Sequence, residues 1–131
     1  MLVVTRHRLP LTGYADTAAA LTAARDTLAA LAEQPGYLRG WITRAVDDGD
    51  LLVVAHEWAY AGSYRRALSA YDVKLLWPFL LTAVDEPTAF EVLVSRTPDA
   101  VVERPSALAA DAGTVGLGHA AAEHVSPGEF G

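Results

Sequence analysis

The side chains best suited to chemistry lie in residues 53–68, which read VVAHEWAYAGSYRRAL. Successive side chains of an extended strand point to opposite faces, so Val54, His56 and Trp58 share one face of a predicted strand. Tyr64 lies about one turn after the start of the helix that is predicted to follow this strand. Trp58 and Tyr64 are therefore expected to border a cavity between a sheet and its helices, and a planar aromatic ligand would suit that cavity.

His56 is the leading candidate for a catalytic base at this site. An imidazole has an ordinary pKa of about 6.5, which suits removal of a proton from a phenol. A structural interpretation stands beside this one, with His56 as a hydrogen-bonded strand residue and Trp58 as a core residue at the end of the strand. The structural and catalytic roles of Trp58 are compatible.

Four more residues near this stretch are candidates for substrate binding. Tyr60, Tyr71 and Trp77 would widen an aromatic pocket, although aromatic residues at helical spacing usually pack against a sheet. Arg65 would attract an anionic substrate, because a guanidinium group pairs well with a carboxylate. Its neighbour Arg66 has the same chemistry, and the sequence does not distinguish which of the two points inward.

The elements that must position these residues follow the order β-α-β-β-α-β. Turn and capping residues together with hydrophobic periodicity predict strands over 2–9, 37–46, 51–59 and 88–97, and helices over 17–34 and 61–84. Asp16 or Thr17 is the expected N-cap of the first helix, and Pro78 is expected to kink the second. This order is typical of an α+β fold, a ferredoxin-like split β-α-β antiparallel sheet with its helices on one face.

The face of the sheet that the helices leave uncovered is predicted to be apolar. Leu51, Val53 and Ala55 alternate with Leu52 and Val54, so both sides of the third strand are hydrophobic. An isologous contact with a second copy would bury the same patch twice. We therefore expect a homodimer that completes a dimeric α+β barrel.

Residues 2–95, about three quarters of the chain, resemble the antibiotic biosynthesis monooxygenase family. The resemblance is carried by VVTRHRLP in the first strand, by EQPGYLRGWITRAVDDGD from the end of the first helix to the following turn, and by HEW in the third strand, with Tyr64 and Arg65 after it. The order and spacing of these segments are more specific than any one of them.

The resemblance implies an enzyme fold whose members oxidise polycyclic phenols to quinones with O₂ and without metal or flavin, or else degrade haem. In the quinone-forming members a strand Trp and a helical Tyr line the pocket, and these match Trp58 and Tyr64. A pocket Asn that is common four residues before the Trp is replaced by Val54, which cannot hydrogen-bond a substrate oxygen. The haem-degrading branch uses a histidine on the second helix, and residues 62–84 contain none.

These observations predict a cofactor-independent monooxygenase that acts on a polycyclic phenol or anthrone, with O₂ as co-substrate, in the biosynthesis of an antibiotic or other polyketide. A cyclase or isomerase would need the same dry aromatic pocket and a proton shuttle, but no oxygen. A non-catalytic dimeric ligand-binding module is the third alternative, and the loss of the family's Asn at Val54 favours it.

Composition excludes several other classes of function. The net charge of −6 and the pI near 5.0 disfavour nucleic acid as a partner, because such binding depends on clustered basic side chains. The chain has no cysteine, so it has no disulfide, thiolate metal ligand or thiol nucleophile. The N-terminal apolar run is too short for a secretory signal or membrane span. We expect a cytoplasmic protein that does not bind membranes.

The chain is expected to divide at residue 97. Residues 1–97 form the predicted domain, and residues 98–131 form an acidic tail rich in Ala and Gly, without a convincing strand. Residues 106–111 can form one or two helical turns that pack on the partner subunit. His119 and His124 have helical spacing but no acidic residues placed to complete a metal site, so no metal is predicted.

Overall fold

The structure, a computed structural model, describes residues 1–107. Its elements in chain order are β1 (Leu2–Arg8), α1 (Thr17–Ala32), β2 (Tyr37–Arg44), β3 (Leu51–Trp58), α2 (Ala61–Leu68), α3 (Tyr71–Lys74), α4 (Trp77–Leu80), β4 (Ala89–Phe90), β5 (Val94–Arg96) and β6 (Val101–Glu103). Through β3 these bounds follow the predicted elements closely.

The main sheet has the strand order β2-β3-β1-β4, and all of its pairs are antiparallel. The central pair is β1 with β3, in which Val3 lies opposite His56 and Thr5 lies opposite Val54. Alternate residues of both strands are buried under the helices. The predicted ferredoxin-like antiparallel sheet, with helices on one face, is confirmed.

Helix α1 begins and packs as its sequence predicts. The carboxylate of Asp16 accepts a hydrogen bond from the backbone N–H of Ala19 at 2.8 Å, so Asp16 is the N-cap. Ala20, Ala24 and Leu31 are buried on the face toward the sheet. Small alanine side chains allow the helix to approach the strands closely.

The second helical region differs from the predicted single helix with a kink at Pro78. It consists of the three short helices α2, α3 and α4. Ala70 has an extended backbone (φ −68°, ψ 142°), which separates α2 from α3. Pro78 lies in the first turn of α4, where its missing N–H costs nothing, so it begins a helix rather than bending one.

The predicted fourth strand over 88–97 is wrong in its length. Only β4 pairs with β1, and the chain then turns into a separate hairpin of β5 and β6. Backbone hydrogen bonds between Thr97 and Ala100 close this hairpin around Pro98-Asp99, a sequence that favours turns. Strand β6 therefore lies in the segment expected to contain no strand. Residues 108–131, with His119, His124 and most of the predicted turns at 106–111, lie outside the described residues.

The face of the sheet opposite the helices carries large apolar side chains. Trp41 is 46% exposed and Phe90 is 41% exposed. Arg39 forms an ion pair with Glu57 at 2.8 Å, and its guanidinium carbon lies 5.8 Å from the centre of the Trp41 ring. This surface, with Trp41 and Phe90 as its largest members, is called the open face below.

Among residues 1–107, no helix is long and apolar enough to cross a membrane.

Candidate active site

A buried cluster of polar and aromatic side chains lies at the end of β3, on the side of the sheet toward the helices. Val54, His56 and Trp58 alternate with partly exposed residues, as the period of a strand requires. His56 and Trp58 are each 1% exposed. The hydrogen-bond partners of both ring nitrogens therefore matter in a histidine buried to this degree.

A hydrogen bond joins His56 to Trp58. The indole Nε1–H of Trp58 donates to Nδ1 of His56 at 2.6 Å. Burial lowers the pKa of His56 to about 4, so its imidazole is neutral near pH 7. The bond occupies the Nδ1 lone pair, and the low pKa makes the ring a weak base. Both observations weaken the predicted role of His56 as a catalytic base.

Tyr64, on α2, packs against both of these rings. Its ring centre lies 5.5 Å from that of His56 and 5.5 Å from that of Trp58. Burial raises the pKa of Tyr64 to about 12, so its hydroxyl keeps its proton across the physiological range. The structure therefore brings together the three residues predicted as catalytic.

Tyr37, which the sequence analysis did not identify, is a fourth member of the cluster. It begins β2, lies opposite Trp58 in the sheet, and meets the indole edge-on at a centroid distance of 5.4 Å. Burial raises the pKa of its hydroxyl. The register of the β2–β3 hairpin identifies Tyr37, because the first residue of β2 lies opposite the last residue of β3.

Gly40 provides the space in which this cluster packs. It lies opposite His56 in the sheet. A Cβ at this position would stand 2.5 Å from the Tyr37 hydroxyl oxygen, 2.9 Å from Leu28 Cδ1 and 3.0 Å from His56 Cβ. Any side chain larger than hydrogen would therefore displace the phenol of Tyr37.

A second buried histidine, His7, lies on the same face of the sheet in β1. Its Nδ1 is 2.8 Å from the Thr82 hydroxyl, its Nε2 is 2.8 Å from the Thr5 hydroxyl, and its ring stacks on Phe79 at 4.4 Å. Burial lowers its pKa to about 4. Both ring nitrogens are satisfied within the protein, so His7 has a structural role.

The residues predicted to bind substrate lie in different environments. Val54 is 2% exposed and packs in the core beside Leu52. Tyr60 and Tyr71 are largely exposed, and Trp77 is exposed while its indole N–H donates to the Leu68 carbonyl. None of these three aromatic residues makes a ring contact with His56, Trp58 or Tyr64. Arg65 lies half-buried on α2.

A cleft of about 440 Å³ opens near the end of β3, beside the β5–β6 hairpin. Trp58 and Tyr60 contribute to its wall, together with Leu38, Glu57 and Arg104. This volume is within the range of small-molecule sites, roughly 300–1,000 Å³. Trp58 thus belongs both to the buried cluster and to the wall of an open cleft.

Comparisons with known proteins identify similar folds. SnoaB, a cofactor-independent oxygenase from Streptomyces nogalater, aligns with a TM-score of 0.58 at 21% identity over 76% of this chain and 96% of its own. A conserved protein from Methanosarcina mazei Go1 aligns with a TM-score of 0.54 at 15% identity, covering 67% and 84% of the two chains. A putative antibiotic biosynthesis monooxygenase from Nitrosomonas europaea aligns with a TM-score of 0.50 at 17% identity, covering 68% and 92%.

No family model matches the chain, and no curated protein sequence matches it. The structural similarity establishes that the chain shares the fold of these three proteins. Fold alone does not determine chemistry, so function must be argued from the cluster itself.

Proposed function

We propose that the protein is a cofactor-independent monooxygenase that oxidises a polycyclic phenol or anthrone with O₂, in the biosynthesis of an antibiotic or related polyketide. The observation that carries this proposal is the cluster of the buried His56 and Trp58 with the partly buried Tyr64, whose members are all uncharged near pH 7. The cluster lies in a fold shared with SnoaB, which is described as a cofactor-independent oxygenase.

The proposed reaction needs little covalent chemistry from the protein. Loss of a proton to water turns the substrate into an electron-rich carbanion. One electron passes to O₂, and the substrate radical and superoxide combine to form a carbon-bound peroxide. Protonation of the peroxide and loss of water leave a ketone at the oxidised carbon. One atom of O₂ enters the product and the other leaves as water. The two hydrogens of that water correspond to the two hydrogens lost from the oxidised carbon.

The side chains supply geometry and a dry environment. Tyr64 is only partly buried, so its ring is the aromatic surface against which a planar substrate would stack, with the buried ring of Trp58 behind it at 5.5 Å. Trp58 also borders the 440 Å³ cleft, which is the proposed entry to the cluster. Once the proton has left, exclusion of bulk water strengthens each electrostatic contact with the resulting anion. The protein would therefore act by holding substrate and oxygen together.

The proposed active form is a homodimer that pairs through the open face. Val4, Val53 and Ala55 lie beside the exposed Trp41 and Phe90 on the face of the sheet that no helix covers. Apolar strands left in water are a liability that a two-fold contact removes. The wider apolar surface extends to the hairpin, where Val94, Val101 and Val102 are exposed.

The test is to incubate purified protein with anthrone under air and under argon. The proposal predicts enzyme-dependent formation of anthraquinone under air and none under argon. Equal product in both atmospheres would replace it with the cyclase or isomerase alternative. Saturable binding without turnover in either atmosphere would favour the non-catalytic ligand-binding module.

A further inference from the structure

We infer that His56 serves as a fixed hydrogen-bond donor, through Nε2–H, to an oxygen atom of the aromatic ligand. The inference deepens the proposed function and rests on it for the class of ligand, a phenol, phenolate or quinone. It assigns His56 a role different from that of the proton-abstracting base expected from the sequence.

The direction of the bond between Trp58 and His56 determines the tautomer. An indole N–H can only donate, so Nδ1 of His56, 2.6 Å away, must be the acceptor and carries no proton. A neutral imidazole with an unprotonated Nδ1 carries its proton on Nε2. Trp58 therefore sets the tautomer of His56 in the way that an outer residue orients a functional histidine.

The surroundings of His56 keep the ring neutral. Burial is the cause of its lowered pKa, and no nearby charge opposes it. The titratable groups that pack near the ring are the phenols of Tyr64 from α2 and Tyr37 from β2, and burial raises the pKa of both. Neither phenol provides the negative charge that would stabilise an imidazolium.

The Nε2–H group has no acceptor among residues 1–107, in contrast to the nitrogens of His7. The two nitrogens lie on opposite sides of an imidazole, so Nε2–H points away from Trp58. His56 as a whole is 1% exposed, so a ligand oxygen that accepts from Nε2–H would give this nearly enclosed donor a partner. A phenolate or quinone oxygen is an acceptor only, which makes it complementary to this donor.

The first test is a long-range ¹H–¹⁵N correlation spectrum of the histidine side chains near pH 7, with His56→Gln used to assign the signals. We expect His56 to be the neutral Nε2–H tautomer. An Nδ1–H tautomer or an imidazolium would overturn the inference. In Trp58→Phe, which lacks the indole donor, the preference for Nε2–H should fall and the pKa of His56 should rise.

The second test measures binding of a dihydroxyanthraquinone by fluorescence quenching. His56→Gln keeps an N–H donor and should bind within a few-fold of the wild type. His56→Leu has no donor and should bind about tenfold more weakly, which corresponds to one hydrogen bond. Equal binding by the Leu variant and the wild type would overturn the inference.

The two proposals fail separately in these experiments. A wild-type protein that binds the quinone through His56 but consumes no oxygen with anthrone would contradict the proposed reaction and support the donor role. Oxygen-dependent turnover that His56→Leu leaves unchanged would support the reaction and contradict the donor role.

Discussion

At the scale of single residues, the sequence predicts that His56, Trp58 and Tyr64 lie together, and the structure brings their rings into contact. The period of a strand put His56 and Trp58 on one face, and the structure buries both of them there. It also joins them by a hydrogen bond between residues two apart. A sequence does not show the direction of that bond, which argues for His56 as a donor rather than a base.

Tyr37 and Gly40 were harder to identify, because their importance depends on pairing across the sheet. Gly40 reads in the sequence as an ordinary strand residue. Its role appears only when the register places it opposite His56 with the Tyr37 hydroxyl above it.

The Gly40→Ala variant tests this packing. A new Cβ would stand 2.5 Å from the Tyr37 hydroxyl oxygen and 2.9 Å from Leu28 Cδ1, so the cluster must shift. We expect the free energy of unfolding to fall by about 1–3 kcal/mol, as is typical of overpacking. Urea denaturation measures this change.

Gly49→Ala is the matched control for Gly40→Ala. A Cβ at Gly49 would meet only Arg44 Nε, at 4.0 Å, so its effect should be within about 0.5 kcal/mol. Equal stability of the two variants would show that the space at Gly40 is not needed.

At the scale of elements, local patterns predicted β1, α1, β2 and β3 well, because each combines a clear hydrophobic period with a strong turn or cap. The predicted elements are wrong where tertiary contacts determine which residues pair. The sequence from Thr88 to Thr97 favours one long strand, but only Ala89–Phe90 finds a place beside β1. Val94–Arg96 instead pairs with β6 across the Pro98-Asp99 turn, in a segment that the sequence predicts to begin the tail.

The pairing of β1 with β3 predicts sensitivity to acid, because it buries the neutral histidines His7 and His56. Each has a folded-state pKa of about 4, against an ordinary value of 6.5. Between these values the unfolded chain binds more protons than the folded protein, so stability is greatest above about pH 6.5 and falls as the pH drops toward 4. Urea midpoints near pH 7 and near pH 5 should show this loss.

The variant carrying both His7→Gln and His56→Gln provides the comparison for that experiment. Its midpoint should change less between the two pH values than that of the wild type, whatever its absolute stability. An identical pH dependence would mean that other groups cause the acid sensitivity.

At the scale of the whole molecule, the open face leaves large apolar side chains exposed to water in a single chain. Contact with a second copy would bury them. Trp41→Glu introduces a charge into the proposed interface and should convert the proposed dimer to a monomer. Tyr71→Glu is the control, since Tyr71 on α3 is 74% exposed and lies outside this face.

Sedimentation velocity at micromolar concentration distinguishes these species. The wild type and Tyr71→Glu should sediment as dimers, and Trp41→Glu as a monomer. A monomeric wild type would contradict the proposed assembly.

The central claim, that the cluster around Trp58 directs O₂ onto a bound aromatic ring, is tested most directly by mass spectrometry of the product formed from anthrone under ¹⁸O₂. The account predicts one heavy oxygen atom in each anthraquinone, formed at a rate that Trp58→Phe reduces at least about tenfold. Product without the heavy isotope, or an unchanged rate in Trp58→Phe, would contradict it.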